Sequence, residues 1–128
     1  MPSLRRAVQT LLIVAFSAAW LAPTLASAAS FDVDDTGEAA DASPGNGSCA
    51  TAGGKCTLRA AIQEANALTG SHTINLPDLP TAGTVTQYAQ TAALPNITAN
   101  LTIVGTSRTT TIISSNGPGI FNLTGGSL

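Results

Sequence analysis

The sequence predicts a mainly β fold with one α-helix, and three observations carry that reading. Thr57 to Leu68 has apolar residues at helical spacing, no helical period survives beyond Leu68, and short β-prone segments separated by Gly, Pro, Asn and Ser fill the rest of the chain. The 128 residues allow one small domain at most. Only 9% are charged, against about 25% in typical soluble domains. With a formal charge of -2, a nucleic-acid binder, a coiled coil and a charge-driven disordered tail are all poorly supported.

The first element is an export segment. Arg5 and Arg6 form a positive start, Leu11 to Ala22 an apolar stretch, and Pro23 precedes the small residues Thr24 to Ala29. That order is a secretory signal peptide, expected to span 1–28. Ala26-Ser27-Ala28 places small side chains where a signal peptidase needs them, so cleavage is expected after Ala28, with Ala29 as the second choice. The apolar core from Ala7 to Ala22 is short for a membrane span of about 20 residues, and a cleavage-like segment follows it. Ala7-Val8-Gln9 after the arginines favours general secretion over the twin-arginine route. Removing both arginines leaves Lys55, Arg59 and Arg108 against seven acids, a net charge of -4.

Residues 29–56 are expected to be an acidic, Gly- and Asn-rich loop region. Asp32, Asp34, Asp35, Glu38 and Asp41 form the only charge run. Asp32-Val33-Asp34-Asp35-Thr36-Gly37 is similar to the start of a calcium loop, but the twelfth position is Ser43 where a bidentate glutamate belongs, and no flanking helix is readable. A solvated acidic loop is the expectation. Ser43-Pro44-Gly45-Asn46-Gly47 is turn chemistry. Cys49 and Cys56, an even pair in an exported chain, are expected to form a disulfide worth up to about 2.5 kcal/mol for so short a loop. Two ligands do not close a zinc site. A redox role lacks the C-x-x-C spacing and a helix-start thiolate environment at Cys49.

In the helix, Leu58, Ala61, Ile62 and Ala65 make one apolar stripe. Thr57 is the expected N-cap and Gly70 the terminator. Arg59, Gln63 and Glu64 leave the outer side polar. About 12 residues are marginal as an isolated helix, so the stripe must lie against something.

Cys56-Thr57-Leu58-Arg59-Ala60-Ala61-Ile62 followed by Glu64-Ala65-Asn66 resembles the CSLREA domain, a family found at the N-terminal end of exported bacterial proteins. The resemblance extends through the acidic loop, Thr73-Ile74-Asn75-Leu76-Pro77, Leu94-Pro95-Asn96-Ile97 and Leu101-Thr102-Ile103-Val104-Gly105, nearly the whole mature chain. It implies the start of a right-handed parallel β-helix of the pectin-lyase-like or polymorphic outer-membrane type, with the helix at about 57–68 as its N-terminal cap. Thr57 replaces the family serine and keeps the N-cap oxygen. Ala60 replaces glutamate, so the returning half of a capping box is missing. Thr57, Leu58, Arg59, Ala61, Ile62, Glu64 and Asn66 are therefore read as a structural signature, with a functional site as the alternative.

From residue 70 onward the expected strands are His72 to Leu76, Thr84 to Ala89, Leu101 to Gly105, Thr109 to Ser114 and Ile120 to Thr124. Their spacing alone fits a sandwich or a solenoid. The last three recur about every nine or ten residues, close to successive faces of one solenoid coil. Faces of a single coil bury no continuous core, so stacking is needed. Residues 70–128 are accordingly expected to be the first, truncated coils, and Gly125-Gly126-Ser127-Leu128 to fall where another strand would begin.

Reaction chemistry is sparse. His72 is the only histidine, is expected to be exposed and incidental at a strand start, and no G-x-S-x-G elbow accompanies it. Beyond Asp41 only Glu64 and Asp78 remain as carboxylates, too few for a positioned glycosidase pair, and Arg108 alone does not supply a lyase site. The N-x-S/T triplets at Asn46, Asn96, Asn100 and Asn122 reflect Asn and Thr abundance in turns and strands. The expectation is an exported, non-enzymatic capping module without a cofactor or metal, secreted or at the cell surface, not membrane-spanning when mature. The resemblance implies adhesion or surface display in longer relatives, with surface polysaccharide or a host or neighbouring cell surface as partner, and no nucleic acid. The alternative is a polysaccharide-lyase-like β-helix enzyme whose site lies downstream.

Overall fold

The computed structural model describes residues 27–79, 85–115 and 120–128. Most of the expected signal peptide and Thr84 lie outside them. The elements in chain order are β1 (Ser30–Asp32), α1 (Leu58–Ala67), β2 (Ser71–Leu76), β3 (Thr86–Gln90), β4 (Asn100–Gly105) and β5 (Thr111–Ser115). The fold is mainly β with one short helix and small parallel sheets.

α1 forms where the apolar period predicts it. The Thr57 hydroxyl accepts the Ala60 amide at 3.0 Å, satisfying one of the donors that a helix start leaves free. Leu58, Ala61, Ile62 and Ala65 are completely buried, so the stripe carries most of the helix's stability, at about 1.5 to 3 kcal/mol for each large side chain. The C-cap is Leu68, in an extended conformation. Gly70, at φ +120°, lets the chain reverse into β2, and a Cβ there would come within 2.4 Å of the Ser27 carbonyl oxygen.

β1, β2 and β4 pair in that order, all parallel, with Phe31 opposite Ile74 and Ile74 opposite Ile103. β3 and β5 form a second parallel pair, with Tyr88 opposite Ile113. The alternation of side chains is visible in the burial. His72, Ile74 and Leu76 on β2, and Thr86, Tyr88 and Gln90 on β3, point into the core. Phe31, Val33, Leu94, Ile97 and Leu101 complete that core with the helix stripe. The Tyr88 hydroxyl donates to the Pro77 carbonyl at 2.7 Å, which removes the cost of burying it.

From β2 onward the parallel partners advance by a nearly constant amount, whereas the β1 and β2 partners, with the helix between them, are 43 residues apart. Ser71 pairs with Asn100, Thr86 with Thr111, Ile97 with Leu123 and Asn100 with Ser127, all parallel. Those steps are 29, 25, 26 and 27 residues. Close approach of the two backbones explains Gly126, where a Cβ would run into the Ala99 carbonyl oxygen.

Four expectations are corrected. Ser30–Asp32, expected as loop, is a strand, since Phe31 and Val33 alternate with Asp32 and pack inward. Ile120 to Thr124 is no strand; only Leu123 bridges, to Ile97, and the following glycine pair supplies no side chains to prolong a ladder. His72 is 2% exposed rather than on the surface, because it occupies an inward position of β2. Glu64, assigned to the polar outer side, is fully buried, for a reason that lies in the loop packed over it.

Candidate functional site

The motif residues converge where the loop 33–56 wraps the start of α1. Cys49 and Cys56 are joined, with Cα atoms 5.2 Å apart, so the chain entering the helix is stapled to the turn before it. Thr57 also donates its hydroxyl proton to the Ala39 carbonyl at 2.6 Å, tying the cap to the acidic segment. Ala60 has no exposed surface; it packs, and solvent does not reach it.

The acidic run is not a freely solvated loop. Asp34, Asp35 and Asp41 accept backbone amides within the loop, and Glu38 accepts them from the segment after β3. Asp34 accepts the Cys56 amide at 2.8 Å and pairs with the exposed Lys55. The Cys56 amide, first, and then Lys55 hold the Asp34 carboxyl below its usual value. Asp35 accepts the Gly37 amide at 2.7 Å. Asp41 accepts from Ser43 and Ala50, while its own amide donates to Gln63 on the helix at 2.8 Å. The carboxylates that a calcium loop would point at one ion are spent on separate turns. Among the described residues, no three His, Cys, Asp or Glu side chains are grouped so as to hold a metal.

Glu64 explains its own burial. Its carboxylate reaches out of the helix into the Gly45-Asn46-Gly47 turn and accepts the amides of Gly45, at 2.5 Å, and Gly47. Two convergent backbone donors replace the water lost on burial. Gly45 and Gly47 both have positive φ, which is how their amides come to face one acceptor.

Arg59 and Glu38 join the wrap to the segment after β3. Arg59 donates to the Ala93 carbonyl at 2.8 Å, the Ala92 carbonyl at 3.0 Å and Glu38 at 3.2 Å. Glu38 in turn accepts the amides of Thr91 and Ala92. The Thr91 amide, before the Ala92 amide and Arg59, holds the Glu38 carboxyl at about 2, down from 4.5. A folded value below the unfolded one contributes stability that is complete above pH 4.5 and is lost as the pH falls towards 2. Urea midpoints measured between pH 5 and 2 should therefore fall more steeply for the wild type than for Glu38→Gln. Parallel slopes for the two proteins would remove Glu38 from the acid response.

Asn66 closes the far end of the helix. Its side-chain amide donates to the Asn96 carbonyl at 2.8 Å, and its oxygen accepts the amides of Thr98 and Ala99. Asn96 then receives the Asn122 side chain at 3.2 Å. The asparagine therefore sets the bend that leads into β4.

A separate feature lies at the other end of the fold. A groove of about 550 Å³ opens beside β4 and β5, lined by Thr102, Ile103, Thr111, Ile113, Phe121 and Leu128 among others, with Arg108 at its margin. Ile103, Ile113 and Phe121 are only half-buried there. It is mainly apolar, and among the described residues no carboxylate or histidine lines it. Sequence reasoning named Cys49, Cys56, Thr57, Leu58, Arg59, Ala61, Ile62, Glu64 and Asn66; the structure brings Cys49, Cys56, Thr57, Arg59 and Glu64 into the helix wrap, and places Leu58, Ala61 and Ile62 in the core and Asn66 at the far end of the helix. It missed Glu38, Asp41 and Gln63 as partners of that wrap; their only sequence signal was the acidic run before a turn.

No protein-family model, curated protein or solved structure matches the chain. Among the described residues, no helix is long and apolar enough to cross a membrane.

Proposed function

We propose that the chain is an exported, non-enzymatic capping module at the start of a right-handed parallel β-helix, serving adhesion or surface display within a longer protein. The observation that carries this reading is the pairing at Ser127. The Leu101 amide donates to the Ser127 carbonyl at 2.8 Å, and Ser127 bridges Asn100 in the same parallel sense in which Asn100 pairs with Ser71. A strand extended in that register would lie along β4 beside the groove. A further coil seated there covers Ile103, Ile113 and Phe121, which a parallel solenoid needs for a continuous core.

The opposite end supports the same reading. There the helix stripe lies against the core and the acidic loop covers the helix, so polar contacts replace an open apolar layer. The resemblance to the CSLREA domain adds the exported setting, and the disulfide suits an oxidising compartment. The motif side chains Thr57, Arg59, Glu64 and Asn66 are all committed to backbone groups of this chain. That occupation fits a structural signature.

The uncovered groove should make residues 29–128 associate as their concentration rises and bind a hydrophobic dye. Placing a charge in it, Ile113→Lys, should relieve both while leaving the helix wrap folded. Sedimentation velocity and dye fluorescence measure this. A chain that stays monomeric and dye-free at every concentration would contradict a face built to receive another coil.

A further inference from the structure

Among the described residues two buried titratable side chains lie outside the helix wrap, Tyr88, whose hydroxyl is paired with the Pro77 carbonyl, and His72. His72 points inward from β2, is 2% exposed, and accepts a single hydrogen bond at Nδ1, from the backbone nitrogen of Ala29 at 3.2 Å. The Phe31 ring lies beside it, with centroids 6.3 Å apart, and Leu101 is its neighbour in register on β4. Its Nε2 is buried without a partner. A hydrophobic side chain in that position would fill the core without leaving a ring nitrogen unpaired. The imidazole is therefore informative chiefly through what it receives at Nδ1.

What it receives is the nitrogen of the residue that the leader pattern marks as the first of the exported chain. Ala26-Ser27-Ala28 ends that pattern. Ser27 and Ala28 are exposed, while Ala29 is half-buried and packs against the core. The Ala29 carbonyl already accepts the Thr73 amide at 2.9 Å. The ordered pairing of the first strand thus begins at the residue that follows the cut.

We propose that export processing between Ala28 and Ala29 creates an α-amino terminus that is held by Nδ1 of the buried His72, so that the cut ending transport also completes the first strand. In that step water adds across the peptide bond. The Ala28 carbonyl carbon gains the hydroxyl, the Ala29 nitrogen gains a proton, and a peptidase of the exporting membrane is the catalyst. The new amine binds another proton at neutral pH and presents three donors where the amide had one. A neutral imidazole accepts one of them at Nδ1. The charged residues of the adjacent helix do not compete, because Arg59 is engaged by Glu38 and Glu64 by the glycine turn. A cut one residue later would remove this donor and leave both ring nitrogens of His72 unpaired. His72 is therefore a positioning residue for the new terminus.

This rests on the exported reading of the chain, and one experiment separates the two. The full 128-residue chain is expressed with export, and the recovered protein is weighed intact. Its α-amino group is then acylated under conditions selective for that amine, in the wild type, His72→Leu, His72→Gln and the urea-unfolded wild type. The mass should begin at Ala29. Labelling should be at least tenfold slower in the folded wild type than in the unfolded chain, fast in His72→Leu, and slow again in His72→Gln, whose side-chain oxygen can accept. If His72→Leu does not fold, the folded and unfolded wild type decide alone. A full-length mass overturns the exported reading and this proposal with it. A terminus at Ser30, or equal labelling of folded and unfolded wild type, overturns the held terminus only and leaves export standing.

Discussion

Leu58→Ala should lower the unfolding free energy by about 3 kcal/mol, the usual cost of removing a buried leucine and leaving part of the cavity unfilled. Leu58 has no exposed surface and sits immediately after the N-cap, where Thr57 and the Cys49–Cys56 link hold the backbone. A backbone tied at those points cannot collapse into the space, which places the cost well above that of a freely relaxing site. The conservative change Ile62→Val, one turn along the same stripe, should cost only about 1 kcal/mol. Urea unfolding at low concentration, below the range where the groove drives association, measures both. Equal costs for the two variants would mean that the stripe is not packed as a unit against the core.

Glu64→Ala should cost a similar amount, about 3 kcal/mol, for a different reason. It removes two hydrogen bonds from backbone amides to a charged acceptor, each worth about 1.5 to 3 kcal/mol, at a side chain without exposed surface. Gly45 and Gly47 are themselves exposed, so water recovers part of the loss when the carboxylate is gone. Glu64→Gln keeps one acceptor oxygen and should lose about half as much. The local signature is sharper than the global one. Amide exchange at Gly45 and Gly47 should accelerate in Glu64→Ala, while exchange at Ile74 on β2 follows only the overall stability. Unchanged protection at the two glycines would show that the turn holds itself without the helix.

The two variants probe two kinds of information. Leu58 was legible in the sequence because its role follows from periodicity. Four apolar residues at helical spacing behind a threonine can bury only one way. Glu64 belongs to the same motif, yet its spacing put it among the polar residues, and nothing local says that a glycine turn nineteen residues earlier folds over it. His72 was misjudged for the same reason. A histidine at a strand start is exposed or buried according to which parity of that strand faces the core, and a one-residue change of phase reverses the answer.

The strands show where local reading ends. β2, β4 and β5 were placed to within a residue or two, because β-prone runs bounded by Gly, Pro and Asn mark themselves. β1 was hidden by its acids. Asp32 points away from the core, where the Asn75 side chain donates to it at 2.7 Å, and only the parallel partner turns Ser30–Asp32 into a strand. Ile120 to Thr124 has the composition of a strand but finds one bridge, since a strand exists only as far as its neighbour runs.

For the described residues, the sequence by itself determined where the helix begins, which of its faces is apolar, that the two cysteines pair, and that the fold is mainly β. Each of these depends on residues within a few positions of one another. Tertiary structure alone decided that the strands pair in parallel, that the steps from β2 onward are nearly constant, and that Asp34 and Glu38 accept amides from distant segments. The strand pairings join residues 25 to 43 positions apart, and a parallel pair is specified by what lies across from each strand, not by anything within it.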